Sequence, residues 1–529
     1  MEFLDKVVWN TLGNSSLDSM PIGNGDIGLN VWTEQNGDVV FYLSKTDAWS
    51  ENNRLLKLGK IRVSMSPNPF ANATAFAQKL SLKKGMITIE SGQGAKIRIW
   101  VDANNPVVMV QFDSQVPVDA KVSFEPWRTE RRQITSAGEM HSAYGLGGEG
   151  SSPVWVEPDT VVEGQTDRIV WYHRNERSVW KANLELQALG EVAADGNDPL
   201  LNRTFGALIE GDGFIRESDT VLRTGQPQEK LSLSIYPLTA QSDSPEAWLE
   251  QVENNARQIG AESPEARLAA HCGWWKDFWD RSYIHVSSVD PEENETAGKV
   301  TRGYALQRWM NACGGRGNSP IKFNGSIFNV DTMEYEDDYK GFDADYRQWG
   351  GCYWWQNTRL PYWSMLAAGD HDLMGPLFKM YSDTLPIRQA ATKKYYGHDG
   401  AFIPETMYFW GAYNDANYGR DRAGKPDGYT DNDYIRYHWQ SGLELSLMML
   451  DYYGHTSDEA FAREIMLPFA QEIITFYDQH WGRGADGKIR FDPAMVLEVY
   501  REAVNPLPEI VGIAKVCREL LSLPEGLVS

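Results

Sequence analysis

The spacing of hydrophobic positions divides the chain into two parts. From Val7 to about Gln241, apolar and polar residues alternate in about ten short runs, among them MITIES, AKIRIWVD and KLSLSIYPL. Gly, Asn, Asp and Pro, the usual residues of turns, separate these runs. Because no long segment with helical spacing lies between them, the pattern predicts an N-terminal antiparallel β-sandwich domain over residues 1–241.

Helical spacing begins after this region. Residues 242–290 contain SPEAWLEQVENNARQIG and SPEARLAAHCGWWKDFWDRS, whose opening Ser-Pro pairs predict capped helices and hence a helical linker. Residues 291–529 predict a helical domain with long loops rich in Gly, Asp, Asn and aromatic residues, which are frequent locations of functional residues. The helices are expected at about 293–313, 352–369, 371–396, 433–453, 457–481 and 508–522.

Aromatic residues are concentrated between residues 345 and 363, in DYRQWGGCYWWQNTRLPYW. Rings stack on the C–H faces of sugars, and the amides and charged groups of this segment suit sugar hydroxyls. A buried aromatic core with satisfied amides is the alternative interpretation. The candidate substrate-binding residues are Asp345, Arg347, Trp349, Trp354, Trp355 and Gln356, together with Trp410 from a later loop.

The charge balance and the N-terminus narrow the possible partners. The chain carries 50 Lys and Arg against 73 Asp and Glu, a net charge of −23, which disfavours nucleic acid and anionic membrane surfaces. The N-terminus, MEFLDKVVWN, lacks a basic and then apolar signal peptide, and no apolar run of about eighteen residues follows. We therefore expect a soluble chain, cytoplasmic as given and periplasmic or secreted if a leader was removed.

Metal, disulfide and nucleotide motifs are not supported. The cysteines lack CxxC spacing and the nine histidines lack H-E-x-x-H spacing, so we expect neither a disulfide framework nor a metal, and no cofactor. The glycines of PIGNGDIG lack the strand and helix of a dinucleotide site and predict a tight turn. The acidic run Glu334–Asp345 fits a solvated loop better than a calcium site.

Three carboxylates in the helical part are candidates for acid–base chemistry. Cleavage of a glycosidic bond needs one carboxylic acid to protonate the leaving oxygen and a second carboxylate to activate water or attack carbon. Glu405, in GAFIPETMYFWGAYN, and Glu498, in FDPAMVLEVYREAVNP, have apolar neighbours that would raise a carboxyl pKa. A loop hydrogen bond and a helix-end charge, respectively, are their structural alternatives. Glu444, on an apolar helical stripe, ranks below both.

The order of parts and several motifs resemble the six-hairpin (α/α)6-barrel glycosidases, most closely the family 95 α-L-fucosidases and α-L-galactosidases. The resemblance is carried by PIGNGDIGLNVW, WWKDFWDRS, LQRWMNACGGRGNSPIKFNGSIFNV, NTRLPYW and PAMVLEVYREAVNP. It implies a β-sandwich, linker helices and an (α/α)6 barrel with a carbohydrate substrate held between sandwich and barrel. It covers nearly the whole chain in architecture, although its motifs are only partly kept, as in a variant bacterial branch.

The resemblance also assigns roles to particular residues. The family's N-x-N-x-x-M-N-Y-W motif positions the attacking water, and Asn357 falls on its second asparagine, whereas Trp355 replaces the first. Glu498 falls near the family's general acid. The resemblance therefore implies that Glu498 is the acid and that Asn357 orients water. Glu405 stays a candidate catalytic carboxylate on its apolar sequence neighbours alone. Fucose specificity does not carry over.

The helical domain contains fewer helices than a complete barrel of this family. About six are predicted after the linker, against about twelve in the family's barrel, so we expect an incomplete barrel at residues 291–529 whose exposed apolar helix faces favour self-association. The leading hypothesis is a glycoside hydrolase, or a truncated relative, that cleaves a terminal glycosidic bond with inversion. A carbohydrate-binding protein without a catalytic base and a sugar phosphorylase are the alternatives.

Overall fold

Antiparallel pairing connects fifteen strands of the described residues into two layers. The computed structural model describes residues 6–71, 75–332 and 341–528. The strands are β1 Lys6–Trp9, β2 Met20–Gly23, β3 Ile27–Thr33, β4 Val39–Trp49, β5 Leu55–Ser66, β6 Phe76–Ser81, β7 Met86–Ser91, β8 Lys96–Val101, β9 Val108–Phe124, β12 Thr160–Val161, β13 Arg168–Arg174, β14 Arg203–Gly211, β15 Phe214–Ser218, β16 Val221–Thr224 and β17 Gln228–Gln241. Short pairs outside the layers are β10 Arg132–Gln133 with β11 Trp155–Val156, β18 Tyr353–Trp354 with β19 Thr406–Met407, and β20 Ala494–Val496 with β21 Tyr500–Ala503. The predicted antiparallel β-sandwich is confirmed.

Strand β9 belongs to both layers. Its residues 108–113 pair with β8 and β17 in the sheet ordered β1-β6-β7-β8-β9-β17-β14-β13-β12. Its residues 119–124 pair with β5, and residues 121–123 also pair with β16, in the second sheet, which continues through β4 and β3 to β2. A strand of 17 residues is long enough to leave one sheet and continue in the other.

The second sheet is buried on both faces. Every residue of β3 and β4 is buried, although one face of an antiparallel sheet commonly contacts water. The helical part of the chain covers the outer face: the indole of Trp309 donates to the carbonyl of Pro21 (3.1 Å), and the amide of Asn30 donates to the carbonyl of Phe328 (3.1 Å). The β2–β4 surface is therefore the contact between the two domains.

Helices dominate after the last strand of the sandwich, and the predicted helical second domain is confirmed. The helices are α1 Ala137–Met140, α2 Trp180–Leu186, α3 Gly190–Asp195, α4 Pro245–Gly260, α5 Pro264–Arg281, α6 Asn294–Gly314, α7 Trp355–Thr358, α8 Leu360–Ala368, α9 Gly375–Asp383, α10 Leu385–Tyr396, α11 Asp415–Tyr418, α12 Ser441–Thr456, α13 Glu459–Phe461, α14 Leu467–His480, α15 Leu507–Leu521 and α16 Glu525–Val528. Short 3-10 helices lie at Ser16–Asp18, His141–Ala143 and His371–Leu373, and a π-helical turn lies at Ala462–Met466.

The caps of the linker helices follow the sequence pattern. The hydroxyl of Ser244 accepts a hydrogen bond from the backbone N–H of Ala247, and Ser263 does the same for Ala266, each at 3.2 Å. Each cap satisfies a backbone donor that the first helical turn leaves without a partner. The fully buried indole of Trp248 then packs α4 against the sandwich.

Two predicted helices differ from the observed ones. The expected helix at 371–396 is divided into α9 and α10, with Pro386 in the first turn of α10, where its missing N–H costs no helical hydrogen bond. The expected helix at 433–453 begins only at Ser441. Before it, the side chain of Asn432 accepts from the N–H of Tyr434 (3.0 Å), a local bond that competes with helix formation.

Helix α15 packs on α12 with one face and exposes apolar side chains on another. Leu507 is 70% exposed and Leu521 is 87% exposed, with Ile510 and Val511 also exposed between them. Self-association through such a face stays a prediction. None of the helices in the described part of the chain combines the length and the apolar character needed to cross a bilayer.

Buried ion pairs fasten the loop before β18 to the sandwich. The Asp345 carboxylate accepts from the Arg128 guanidinium (2.6 Å), the Trp127 indole (2.7 Å) and the backbone N–H of Lys57 (2.8 Å). The side chains of Asp345 and Arg128 are 0% and 1% exposed. Although burial alone raises the pKa of a carboxyl, the charge of Arg128 lowers the pKa of Asp345 to about 2. The pair therefore remains ionised in the folded protein.

We expect Asp345→Asn to lower the free energy of unfolding by about 3–5 kcal/mol at pH 7, because it leaves Arg128 buried with less compensation. The depressed pKa of Asp345 contributes stability above its ordinary pKa of 3.8, and this contribution is lost as the pH falls towards 2. Urea unfolding at a series of pH values measures both effects. Asp383→Asn, which breaks an exposed pair with Lys379, is the control and should cost at most about 1 kcal/mol. Equal losses in the two variants would contradict the prediction.

Candidate active site

A pair of two-residue strands brings the main candidate residues together. Trp354 of β18 lies opposite Thr406 of β19 in the antiparallel register. The next backbone N–H, that of Trp355, donates to the carbonyl of Glu405 at 2.7 Å. These hydrogen bonds fix Glu405 beside the residues that follow β18, although about fifty positions separate the two segments in the sequence.

The carboxyl group of Glu405 is almost completely buried. The residue is 2% exposed, its Oε2 accepts a hydrogen bond from the Thr406 hydroxyl, and its Oε1 has no hydrogen-bond partner among the described residues. Burial raises the pKa of Glu405 to about 7; the charge of Glu498 raises it further, whereas hydrogen bonds from Thr406 and the Gln356 backbone oppose the shift. A large fraction of Glu405 is therefore protonated at neutral pH.

Glu498 reaches the same place from the other end of the helical domain. It lies on the exposed turn between β20 and β21, and its Oε1 accepts a hydrogen bond from Nε2 of Gln356 at 3.0 Å. Its neighbour Leu497 has a φ of 45°, a left-handed conformation that is rare for a leucine. Gln356 therefore lies beside both carboxyl groups, since its neighbour Trp355 bonds the Glu405 backbone and its own side chain bonds Glu498.

Aromatic rings from both domains form a surface beside the carboxyl groups. Tyr144, from the sandwich, lies 5.1 Å from Trp349 and 5.3 Å from Trp354, measured between ring centroids. The charges of Glu405 and Glu498 both contribute to the raised pKa of Tyr144, after its burial. Because Trp349 is 40% exposed, this surface is open to a ligand.

A glycine allows the close approach of Trp349 to the sandwich. A Cβ atom on Gly350 would lie 2.2 Å from the carbonyl oxygen of Ser142, and the Gly350 N–H donates to the carbonyl of His141 (2.9 Å). Trp349 itself has a φ of 59°, which is strained for a bulky side chain. Such strain persists only where surrounding contacts hold it, as they do here, and it is common at functional sites.

Glu444 of α12 binds the segment that follows β18 through three hydrogen bonds. Its carboxylate accepts hydrogen bonds from the indole of Trp355 (2.9 Å), the guanidinium of Arg359 (2.9 Å) and the indole of Trp363 (3.3 Å). Trp355 is only 1% exposed, so its ring packs inside the domain and does not belong to the open aromatic surface. Glu444 therefore orients the segment that carries Gln356.

The remaining predicted residues lie elsewhere or are engaged within the protein. Asp345 is held by Arg128, and Arg347 is 4% exposed and donates to the carbonyls of Asn324 and Ser326. The Nε of Arg347 is buried without a partner among the described residues. Asn357 is half-buried beside Gln356, and its side chain forms no hydrogen bond with the residues described.

The structure separates Trp410 from the carboxyl pair. Its indole donates to the side chain of Asn183 (3.2 Å), and its ring lines a different cavity. The acidic run at Glu334–Asp345 lies mostly outside the described residues, which omit positions 333–340. Over residues 6–71, 75–332 and 341–528, no group of three or more His, Cys, Asp and Glu side chains is placed to hold a metal ion.

The aromatic density around 345–363 and the apolar neighbours of Glu405 and Glu498 were signals that pointed to this site. Tyr144 was missed, because it lies in an irregular excursion of the sandwich, in GEMHSAYGLGGEG, that shows no pattern linking it to residues of the second domain. Gln356 was expected to bind substrate hydroxyls, which stays a prediction, and in the structure its Nε2 donates to Glu498.

The fold defines a two-domain protein with a β-sandwich followed by an α-helical domain. Residues 8–284, more than half of the chain, match the family described as "Domain of unknown function (DUF5703)" through the model of its N-terminal part. The chain belongs to the DUF5703 family. No curated protein matches it in sequence.

Solved structures resemble this chain at low sequence identity. A putative kojibiose phosphorylase from the human microbiome is 12% identical, with a TM-score of 0.55, over 98% of this chain and 66% of that one. A bacterial glucoamylase complexed with acarbose is 8% identical, with a TM-score of 0.36, over 89% of this chain and 62% of that one. A family GH92 alpha-mannosidase from Bacteroides thetaiotaomicron is 9% identical, with a TM-score of 0.35, over 88% of this chain and 57% of that one. Only the first similarity supports an argument about fold, and this chain spans less than two thirds of the length of each. Similarity to family 95 is not among these findings.

We expect Glu405→Gln to make stability less dependent on pH. The folded parent keeps the Glu405 proton up to a pH of about 7, whereas an ordinary Glu loses it near 4.5, so the parent loses stability as the pH rises between these values. The difference amounts to about 3 kcal/mol and is absent in the Gln variant. Urea unfolding of both proteins from pH 4 to pH 8 measures it.

Glu509→Gln provides a matched control. Burial also raises the pKa of Glu509, to about 8, and both of its carboxyl oxygens lack partners among the described residues. Glu509→Gln should likewise make stability less dependent on pH than in the parent, over a pH range that extends higher than for Glu405→Gln. A stability difference between the parent and Glu405→Gln that stays constant with pH would contradict the assignment of a raised pKa to Glu405.

Proposed function

We propose that this chain is a glycoside hydrolase that cleaves a terminal glycosidic bond of an oligosaccharide or polysaccharide. The observation that carries the proposal is the pairing of a buried carboxyl group, protonated near neutral pH, with an exposed carboxylate on the other side of Gln356. Cleavage of a glycosidic bond requires one protonated and one ionised carboxyl group, and different environments can supply the two.

Glu405 is the general acid in this proposal. The Thr406 hydroxyl donates to Oε2, so the proton resides on Oε1, which has no internal acceptor among the described residues. This proton moves to the glycosidic oxygen as the bond from that oxygen to the anomeric carbon breaks. The Glu405 carboxylate that remains is stabilised by Thr406, the Gln356 N–H and the charge of Arg359.

Glu498 is the general base. It takes a proton from a water molecule whose oxygen attacks the anomeric carbon, which gives an inverting reaction. Gln356 fixes Glu498 through one oxygen and leaves the other free for water. Asn357, adjacent to Gln356 and free of internal side-chain bonds with the described residues, is available to orient that water. In this proposal Glu405 takes the acid role that the sequence resemblance implied for Glu498, and Glu498 becomes the base.

Substrate recognition uses the aromatic surface of Tyr144, Trp349 and Trp354. A sugar ring stacked on Trp349 would place its glycosidic oxygen near Glu405, because Trp354 is next to the backbone segment that bonds Glu405. The surface combines residues of both domains, as in the expected location of substrate between sandwich and barrel.

Phosphorolysis is a second candidate, because the fold resembles that of a protein named as a putative kojibiose phosphorylase with a TM-score of 0.55. In that reaction phosphate would replace the water and Glu498 would not be needed as a base. The exposed negative charge of Glu498 opposes phosphate binding, which favours hydrolysis. Turnover that requires added phosphate would favour the phosphorylase.

We expect Glu405→Gln and Glu498→Gln to respond differently to the leaving group of the substrate. Loss of the acid in Glu405→Gln should slow cleavage of natural glycosides by about 10²–10⁴-fold. The cleavage rate of dinitrophenyl glycosides should stay close to that of the parent, because their leaving group needs no proton. Loss of the base should slow both substrates, and azide, which attacks without a base, should restore part of the activity of Glu498→Gln. Initial rates on a panel of glycosides, with and without azide and phosphate, measure this.

Glu509→Gln is the control, since it removes a buried carboxyl group with a raised pKa outside the site. It should keep the parent's activity.

The parent's kcat/KM should also fall as the pH rises above about 7, when Glu405 loses its proton. Equal activity of Glu405→Gln and the parent on natural glycosides would overturn the role of Glu405. Glycan binding by the parent without any turnover would indicate a carbohydrate-binding protein.

A further inference from the structure

A second cavity, of about 410 Å³, lies between the sandwich and the helical domain. Trp49 of β4 and Arg203 of β14 line it from the sandwich, and Met380 of α9, Phe409 and Trp410 line it from the helical domain. Neither carboxyl group of the candidate active site is among its lining residues. The volume falls in the range typical of small-molecule sites.

Arg203 brings a positive charge to this cavity without a paired carboxylate. Its Nε donates to the carbonyl of Pro199 (3.0 Å) and its Nη1 to the backbone carbonyl of Asp47 (3.1 Å). Its Nη2 donates no hydrogen bond to the described residues, and no carboxylate oxygen in that part of the chain lies within ion-pair distance of the guanidinium. Burial lowers the pKa of Arg203, because its charge is held away from water, and the charge of Asp47 opposes this shift.

The acidic groups that line the cavity have lysine partners, and Asp47 shares its partner Lys45 with Asp26. The Asp47 carboxylate accepts from Nζ of Lys45 (2.8 Å) through Oδ1 and from the amide of Asn318 (2.7 Å) through Oδ2. Asp383 is paired with Lys379 on the same helix at 2.5 Å. Arg203 is therefore the charge in this cavity without a carboxylate at ion-pair distance among the described residues, and the Asp47 carboxylate acts on it only from longer range.

Four aromatic residues, Trp49, Trp180, Phe409 and Trp410, lie among the walls of the cavity. The rings of Trp49 and Phe409 lie 5.3 Å apart, and the guanidinium of Arg203 lies 5.9 Å from the Phe409 ring. The indole N–H groups of Trp49 and Trp410 are already bonded to Ser319 and Asn183, whereas that of Trp180 is buried without a partner among the described residues. Such walls suit the C–H faces of a sugar ring.

We propose that this cavity binds an anionic sugar, whose oxyanion accepts a hydrogen bond from Nη2 of Arg203 while its ring packs against the aromatic walls. A guanidinium with a free N–H recognises carboxylate and phosphate oxygens alike. The oxyanion is thus the carboxylate of a uronic acid or the phosphate of a sugar phosphate. The proposal does not depend on cleavage at Glu405, because it concerns binding at a separate cavity.

Calorimetric titration of the whole chain with glucuronate, glucose 6-phosphate and glucose tests the proposal. We expect the parent to bind at least one of the anionic sugars about tenfold more tightly than glucose, and Arg203→Gln to lose this preference. Preference for glucuronate identifies a carboxylate site, and preference for glucose 6-phosphate identifies a phosphate site. Arg223→Gln, on β16 and outside the cavity, is the matched arginine control and should bind as the parent does.

A second variant keeps the test valid if Arg203→Gln fails to fold. Asn197 is an exposed residue on the rim of the cavity, so Asn197→Trp narrows the cavity without removing a buried side chain. It should weaken binding of the anionic sugar while Arg203 remains. A parent that does not distinguish anionic sugars from glucose would overturn the proposal. So would a preference that persists in both the Asn197→Trp variant and any folded Arg203→Gln variant.

Discussion

The hydrogen bond between the Trp355 N–H and the Glu405 carbonyl, at 2.7 Å, is the contact on which the candidate active site depends. Together with the two-residue ladder before it, this bond fixes where the Glu405 carboxyl is buried and which residue lies next to it. Gln356 then connects Glu405 to Glu498, and Trp354 extends the site towards the aromatic rings. Backbone pairing thus joins two distant segments of the chain, and the side chain of Gln356 adds a third.

Much of the fold was predictable from the period of the hydrophobic pattern. The strands of the sandwich and the caps of α4 and α5 depend on local alternation and on local Ser-Pro signals, so the sequence indicates them directly. The division of the helix expected at 371–396 depends on Pro386, and the late start of α12 depends on the local hydrogen bond of Asn432. Single residues of this kind are a weaker sequence signal than periodicity. Strand β9 passing between two sheets depends on long-range packing, which no local pattern encodes.

The site was predictable in part, because composition indicates what a residue can do and not where its partner lies. Glu405 and Glu498 stood out as carboxylates among apolar residues, but only the fold shows that Glu405 is the buried one. Asp345 and Arg347 have the chemistry of sugar ligands, yet the sandwich supplies Arg128 and the loop supplies its own carbonyls to satisfy them. Tyr144 reaches the site through tertiary packing alone.

The passage of β9 through both sheets has a mechanical consequence. Because one continuous backbone is hydrogen-bonded in each layer, neither layer can separate from the other without breaking pairs along the same strand. The sandwich is therefore a single cooperative unit whose layers resist sliding against each other. The excursion that carries Tyr144 comes after β9 and β10 in the chain, so this aromatic ring extends from a unit whose two layers are tied together, and it contacts Trp349 and Trp354 of the second domain.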